Sequence, residues 1–249
     1  MLHYFNILFI DKKRERFRMK LSIIVPVYNE EKTIEKIIEK VQKVRLDKIE
    51  KEIIIINDAS VDKTYDKIKK ISKKYENMKI FSHNINQGKG AAIRTGLKNF
   101  TGDIIVIQDG DLEYNPNDFR KLIKPILDNK TKVVYGSRLL GEEKGFNVPL
   151  HHLGNRILSF VTTILYFRRI TDMETCYKMM TKEVANSLKL KAKRFDFEPE
   201  ITAKIIKKGY KIIEMPIIYN CRSFKEGKKI TWKDGIKALY YLLKYRFIN

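Results

Sequence analysis

Cysteine is scarce in this chain of 249 residues: Cys176 and Cys221 are the only two. That excludes a disulfide framework and makes a reducing compartment the default. No apolar run reaches the ~20 residues that a membrane-spanning helix needs. The candidates, Leu2–Ile10 and Ile157–Phe167, are about half that length or less. No Pro/Gly-rich linker or internal repeat divides the chain. No zinc-ligand spacing, RNA-recognition motif or basic recognition helix is present, so nucleic acid is not an expected partner. Acid is short relative to base, with 30 Asp and Glu against 51 Lys and Arg, a net charge of +21. Hydrophobic residues at 43% and charged residues at 33% exclude a disordered chain. The length suits one large α/β domain with a full core.

The basic excess is densest at the end, where residues 189–249 hold 16 Lys or Arg against 6 Asp or Glu. An anionic membrane surface or a phosphorylated substrate would answer it. Heavy lysine use throughout accounts for part of it. At the other end, the apolar Leu2–Ile10 precedes Lys12, Lys13, Arg14, Arg16 and Arg18, the reverse of signal-peptide order. Residues 1–18 are therefore expected to be a leader that the fold does not need, with Met19 as an alternative start. Residues 19–230 are expected to form the main domain.

From Lys20 onward strands and helices alternate. Apolar strands are expected at Leu21–Val27, Ile53–Ile56, Met78–Phe81, Ile104–Ile107 and Lys132–Tyr135. Helices are expected at Glu31–Val44, Asp62–Tyr75, Gly90–Phe100 and Asn117–Leu127. Asp62 is placed as an N-cap. This order predicts a Rossmann-like, doubly wound, mostly parallel α/β sheet. Ile212–Tyr219 carries Pro216 and is expected at a sheet edge. Ile157–Phe167 fits either a core helix or one lying in a membrane interface. Residues 231–249 are expected to form a C-terminal amphipathic helix, with Trp232, Ile236, Leu239, Tyr240, Leu243 and Phe247 on one side.

Chemistry concentrates where strands end. Asp109-Gly110-Asp111 follows Ile104–Ile107. Two carboxylates one residue apart at a strand's carboxyl end can share a hard divalent cation that also takes diphosphate oxygens. Pro26-Val27-Tyr28-Asn29-Glu30-Glu31 ends the first strand, and Asn57-Asp58-Ala59-Ser60-Val61-Asp62 the second. Glu30 and Asp58 can accept hydrogen bonds from ribose or base. Gly88-Lys89-Gly90 opens the third helix, where backbone N–H groups favour anions. Gly136-Ser137-Arg138 closes the fifth strand.

Taken in order, these motifs resemble the family-2 glycosyltransferases of the GT-A fold, especially the dolichyl- and polyprenyl-phosphate sugar synthases, over about Lys20 to Arg246. The resemblance implies transfer of a hexose, with inversion, from a nucleotide diphosphate-sugar to a polyprenyl phosphate. It implies Mg²⁺ or Mn²⁺ near Asp109, Asp111 and Glu113, where many relatives carry Gln at the last position. It assigns Pro26, Tyr28, Glu30, Asp58, Lys89, Asp109 and Gly110 to the nucleotide-sugar. Arg138, Arg156 and Lys228, the last in a basic segment from Arg222 to Ile230, are candidates for the acceptor phosphate. Asp109, Asp111, Asp172 and Arg138 are the catalytic candidates. Asp172 is the base if the acceptor is instead a saccharide or protein hydroxyl. Glu198, in Phe195-Asp196-Phe197-Glu198-Pro199-Glu200, is expected to point into the site. Ala59, Val61 and Asn57 depart from the family's usual Gly, Thr and Asp. An enzyme of this kind is expected at the cytoplasmic face of a membrane, peripherally bound, with a membrane-embedded subunit as a conceivable partner and the oligomeric state open. The other alternative is an inactive sugar-nucleotide-binding protein.

Overall fold

The computed structural model describes residues 19–145, 149–222 and 232–248. The 1–18 leader, Lys228 and the rest of 223–231 lie outside the described residues.

Ile-rich runs with no polar alternation must be covered on both faces, and they form the centre of the sheet. Strands β1 (Lys20–Val27), β2 (Glu50–Asn57) and β4 (Ile104–Ile107) are buried along most of their length. Helix α1 (Ile34–Lys43) follows β1 and buries Ile34, Ile37, Ile38 and Val41, a helical stripe. Helix α2 (Thr64–Ser72) leads to β3 (Met78–Ser82), and α3 (Lys89–Asn99) leads to β4. Asp62 is not the N-cap expected: the helix starts at Thr64, two residues later than the periodicity predicts, with Lys63 at the N-cap, and Asp62 Oδ1 accepts from the Thr64 amide at 2.9 Å from one position further out.

Beyond β4 come α4 (Phe119–Leu127), β5 (Val133–Gly145) and α5 (Pro149–Tyr166). They are followed by β6 (Lys178–Thr181), α6 (Lys182–Ser187), α7 (Phe197–Lys207), β7 (Ile212–Cys221) and α8 (Trp232–Phe247). The seven strands lie in the order β3-β2-β1-β4-β6-β5-β7. β6 pairs antiparallel with both neighbours, and the other pairings are parallel. The sheet is thus mostly parallel, as expected, with one inserted antiparallel strand that the sequence pattern did not indicate. β7, with Pro216, is at an edge.

β1 has β2 on one side and β4 on the other, so the chain reverses its direction of growth across the sheet there. Ligands of open α/β sheets bind at that switch point, outside the carboxyl ends of the strands. A second, smaller apolar cluster lies beyond the sheet, where Leu158, Tyr166 and Ile170 meet Ala203, Ala238, Leu242 and Tyr245. The Ile157–Phe167 run therefore belongs to a helix that packs through one stripe. Its other stripe, with Phe160 64% and Phe167, at the helix end, 81% exposed, faces outward. Among the described residues no helix is long and apolar enough to cross a membrane.

Candidate active site

The loops after β1 and β2 are locked together before any ligand is considered. The Asn29 amide donates to Ser60 Oγ at 3.0 Å, and the Val61 amide to Asn29 Oδ1 at 2.9 Å. The Glu30 amide donates to Thr64 Oγ1 at 2.8 Å, and the Thr33 hydroxyl to the Gly110 carbonyl at 3.0 Å. These bonds fix Tyr28 and Glu30 against the Asp109–Asp111 turn. Ala59 sits in this frame at φ +57°, the left-handed region, where a Cβ is crowded. The position at which the family usually has Gly thus keeps a glycine-like backbone. Ala59→Gly is expected to raise stability by about 1 kcal/mol. Urea unfolding checks this, and a variant no more stable than the parent would show that the backbone relaxes around Ala59.

Asp58 is almost fully buried and holds the next loop. Its Oδ1 accepts from the Gln87 amide at 2.9 Å and lies 2.7 Å from His83 Nδ1, and its Oδ2 accepts from the Gly88 amide at 2.7 Å. Gly88 has φ +95°, and a Cβ there would lie 2.5 Å from the Lys193 carbonyl oxygen. At Gly90 a Cβ would lie 2.8 Å from the Ala192 carbonyl oxygen. The space that these glycines leave is filled by the protein's own 192–194 segment. That segment is held in turn by Glu200, which accepts from the Lys191 and Ala192 amides and pairs with Lys204 at 2.6 Å. Gly88→Ala is expected to cost about 2 kcal/mol or more and to push away Arg194 and Phe195, which line the cleft. Calorimetry and nucleotide titration check both effects, and unchanged nucleotide affinity would show that the 192–195 segment does not shape the nucleotide site.

The cleft encloses about 300 Å³ at the carboxyl ends of β1, β2 and β4. Pro26, Tyr28, Glu30, Asp58, Lys89, Asp109, Gly110, Asp111 and Glu113 all line it. Two cations divide its carboxylates. The Lys89 ammonium is 2.9 Å from Asp109 and 3.1 Å from Glu198. Burial would lower its pKa, but the charges of Asp109 and Glu198 outweigh that and hold it well above the usual lysine value. Arg222, just past β7, places Nη2 2.6 Å from Asp111 Oδ2 and Nη1 3.4 Å from Glu30 Oε2, and its amide donates to Glu113 Oε1 at 2.9 Å. Burial, with repulsion from Asp109 and Glu113, pushes the Asp111 carboxyl up to about 8 despite Arg222.

Among the described residues no three His, Cys, Asp or Glu side chains form a ready metal cage. The donor set nevertheless suits a hard divalent ion. Asp111, Asp109 and Glu113 carry oxygen donors whose mutual repulsion a cation would relieve, and the cleft in front of them leaves room for phosphate.

The candidates for the acceptor lie to one side. Arg138 makes a two-point ion pair with Asp172, Nε to Oδ2 and Nη2 to Oδ1, each 2.7 Å. The Arg138 amide also donates to Asp172 Oδ2 at 2.9 Å, and Asn155 Nδ2 donates to Oδ1 at 3.0 Å. Asp172 is fully buried. Burial would raise its pKa, but Arg138, by charge and hydrogen bonds, and Asn155 hold it below the usual carboxylate range. Glu214 of β7 fixes the loop by accepting from the Thr171 and Asp172 amides at 2.8 and 3.0 Å. The Arg138 guanidinium lies 5.2 Å over the ring of Tyr219, which lines the cleft. Arg156 is exposed on α5, next to Asn155.

Sequence reasoning did not single out Asn155, Glu214, Arg194 or Tyr219. Glu214 carried a usable signal, a lone acid within the apolar run Ile212–Tyr219. Glu174, two residues from Asp172, carried no signal of its own. Burial and the charge of Glu198 push its carboxyl up to about 8.

A sheet whose switch point lies between β1 and β4, opening on an acidic cleft, is the architecture of the GT-A nucleotide-sugar transferases. This chain belongs to glycosyl transferase family 2, whose model matches residues 22–188. It is 32% identical over 247 residues to the UDP-N-acetylglucosamine–dolichyl-phosphate N-acetylglucosaminyltransferase of Methanococcus voltae, covering 90% of this chain and 94% of that protein. It is 29% identical over 233 residues to the dolichol-phosphate mannosyltransferase of Pyrococcus furiosus, covering 91% of this chain and 64% of that one. The fold is similar to glucosyl-3-phosphoglycerate synthase of Mycobacterium tuberculosis, solved with Mn²⁺, UDP and glucosyl-3-phosphoglycerate. The TM-score is 0.68 at 18% identity, covering 93% of this chain and 81% of that one.

Proposed function

We propose that this glycosyltransferase moves a hexose, with inversion, from a nucleotide diphosphate-sugar to a polyprenyl phosphate at the cytoplasmic face of a membrane. The observation that carries the choice of acceptor is the state of Asp172. A hydroxyl acceptor needs a base to take its proton. Asp172, the base that the family motif offers, is buried, and both its oxygens are already occupied by Arg138, Asn155 and the Arg138 amide. A phosphate acceptor is anionic at neutral pH and needs no base. Arg138 suits its oxygens, and Asp172 and Glu214 hold that guanidinium in place.

In this reading Tyr28, Glu30 and Asp58 receive the nucleotide, and Lys89 sits between Asp109 and Glu198 facing the sugar. Asp111, with Asp109 and Glu113, would hold Mg²⁺ or Mn²⁺. When bound, that ion would neutralise charge developing on the departing diphosphate. Ile157, Phe160, Ile164 and Phe167 form an exposed stripe that starts two residues from Asn155, and Ile236, Tyr240, Leu243 and Phe247 form another on α8. With Arg168, Arg169, Lys237 and Lys244 nearby, they suit an anionic membrane surface.

A second reading rests on Glu174. A carboxyl near 8 beside the acceptor end is poised to exchange a proton, which would serve a hydroxyl acceptor. One assay separates the two. The full chain, with anionic vesicles and a panel of labelled nucleotide-sugars, is expected to label polyprenyl phosphate and not soluble saccharides. Phe160→Ser is expected to reduce vesicle flotation severalfold while leaving donor binding unchanged. Efficient transfer to a soluble hydroxyl by an enzyme that ignores vesicles at low salt would overturn the proposal in favour of Glu174.

A further inference from the structure

Of the two protein cations among the cleft's carboxylates, Arg222 is the one beside Asp111. Arg222 reaches Asp111 and Glu30 with its two terminal nitrogens. Its Nε is buried without a hydrogen-bond partner, 3.7 Å from Glu113 Oε1. A guanidinium carries five N–H donors in a fixed fork, and a buried one left unpaired is costly. In this cleft the Nε donor is idle, and the carboxylate it faces, Glu113, is one that the metal assignment requires. Asp109, Asp111 and Glu113 line the same cleft, so one guanidinium compensates their charge only in part. Asp111 Oδ2, 2.6 Å from Arg222, cannot at the same time give its full charge to a small divalent ion.

We propose that Arg222 is an internal counter-cation that a divalent metal must displace from Asp111, which makes metal binding and diphosphate binding interdependent. The inference rests on the assignment of the metal to Asp109, Asp111 and Glu113, and adds a positioning role for this side chain. While the cleft is empty of substrate, Arg222 balances the acid cluster and lowers its affinity for free metal. A diphosphate entering the cleft offers the guanidinium an alternative partner of the same charge type, with two-point geometry. Arg222 can then leave Asp111 to the ion. Because the coupling is thermodynamic, it is reciprocal: the metal raises diphosphate affinity by the same factor. Without Arg222, metal would load whether or not diphosphate is present.

The test titrates Mn²⁺ into the full-length protein, followed by electron paramagnetic resonance of free Mn²⁺, with and without saturating inorganic pyrophosphate. Arg222→Ala is expected to bind Mn²⁺ alone about tenfold more tightly than the parent, a change of about 1.4 kcal/mol. The factor by which pyrophosphate tightens Mn²⁺ binding is expected to fall by a similar ratio. Arg222→Lys, which keeps a charge but loses the two-point geometry, is expected to lie between them. Thermal unfolding supplies a second readout, with Mn²⁺ alone raising the melting temperature of Arg222→Ala more than that of the parent. Equal Mn²⁺ affinity in parent and variant, or weaker binding in the variant, would overturn the inference while leaving the metal assignment intact. Absence of Mn²⁺ binding in every sample, pyrophosphate included, would overturn both.

Discussion

Asp111→Asn is expected to lower transferase activity by about 10²–10³-fold while leaving the protein folded. Asparagine keeps the shape and keeps an oxygen that can accept from the Glu113 amide, now 3.0 Å from Asp111 Oδ1. It removes the charge a divalent ion needs. Stability is expected to move the other way from activity. A carboxyl raised to about 8 is harder to ionise in the folded chain than in the unfolded one, so it destabilises the fold increasingly as pH rises from about 4 toward 8. The metal-free variant should therefore melt at the same temperature as the parent in acid and at an equal or higher temperature at pH 8. Calorimetry across that range, paired with a transfer assay in Mn²⁺ and in EDTA, checks both halves. Parent activity in EDTA equal to that in Mn²⁺ would remove metal from the proposed mechanism.

The other large effect is expected at Arg138. Arg138→Gln should lower transfer to polyprenyl phosphate by about 10²-fold or more with donor affinity retained, because Arg138 is outside the lining of the nucleotide cleft. The geometry adds a complication. Asp172 is fully buried and would lose its ion-pair partner, and breaking such a pair costs about 3–5 kcal/mol. Asp172 has a depressed pKa in the fold, so its pairing stabilises above the unfolded value of about 3.9 and is lost as pH falls through the folded value. The single variant should thus be most destabilised at neutral pH. The double variant Arg138→Gln, Asp172→Asn leaves no uncompensated charge. It should recover most of the stability and none of the lipid transfer. Recovery of transfer along with stability would show that the pair is structural and that the acceptor is held elsewhere.

How much of this was legible in the sequence follows from where charge is buried. The strands β1, β2 and β4 announce themselves because unbroken Ile and Val runs can only be covered on both faces. The strand-end motifs follow once those strands are placed, and nine of the residues assigned to the nucleotide-sugar or metal line one cleft. β6 was invisible. Its sequence is Lys178-Met179-Met180-Thr181, and a lysine reads as surface. Lys178 is in fact fully buried, its ammonium capping the carbonyls of Met173 and Thr175 and lying 4.8 Å over the Tyr135 ring. Helix α7 was hidden in the same way. Glu200 and Lys204 suggest a solvated face, yet they pair inside the protein and hold the 191–192 backbone. The glycines of the Gly88 loop were legible as a close approach, but what approaches them is the protein's own segment. The partners of Asp172 lie at positions 138, 155 and, through the loop, 214, and no local pattern connects them.

Those last positions bear on which part of the molecule opens first. The floor of the nucleotide cleft draws on residues 26–113, at the ends of the central strands. The Asp172 loop is fixed by Glu214 on β7, which pairs with β5 at the outer edge of the sheet. A strand at the edge of a sheet is paired on one side only and can open without the rest of the domain. The half of the molecule that carries Arg138 and Asp172 is therefore held by the more easily opened side of the sheet. It is also the half that hydrogen exchange should find loosening first, while β1, β2 and β4 stay closed.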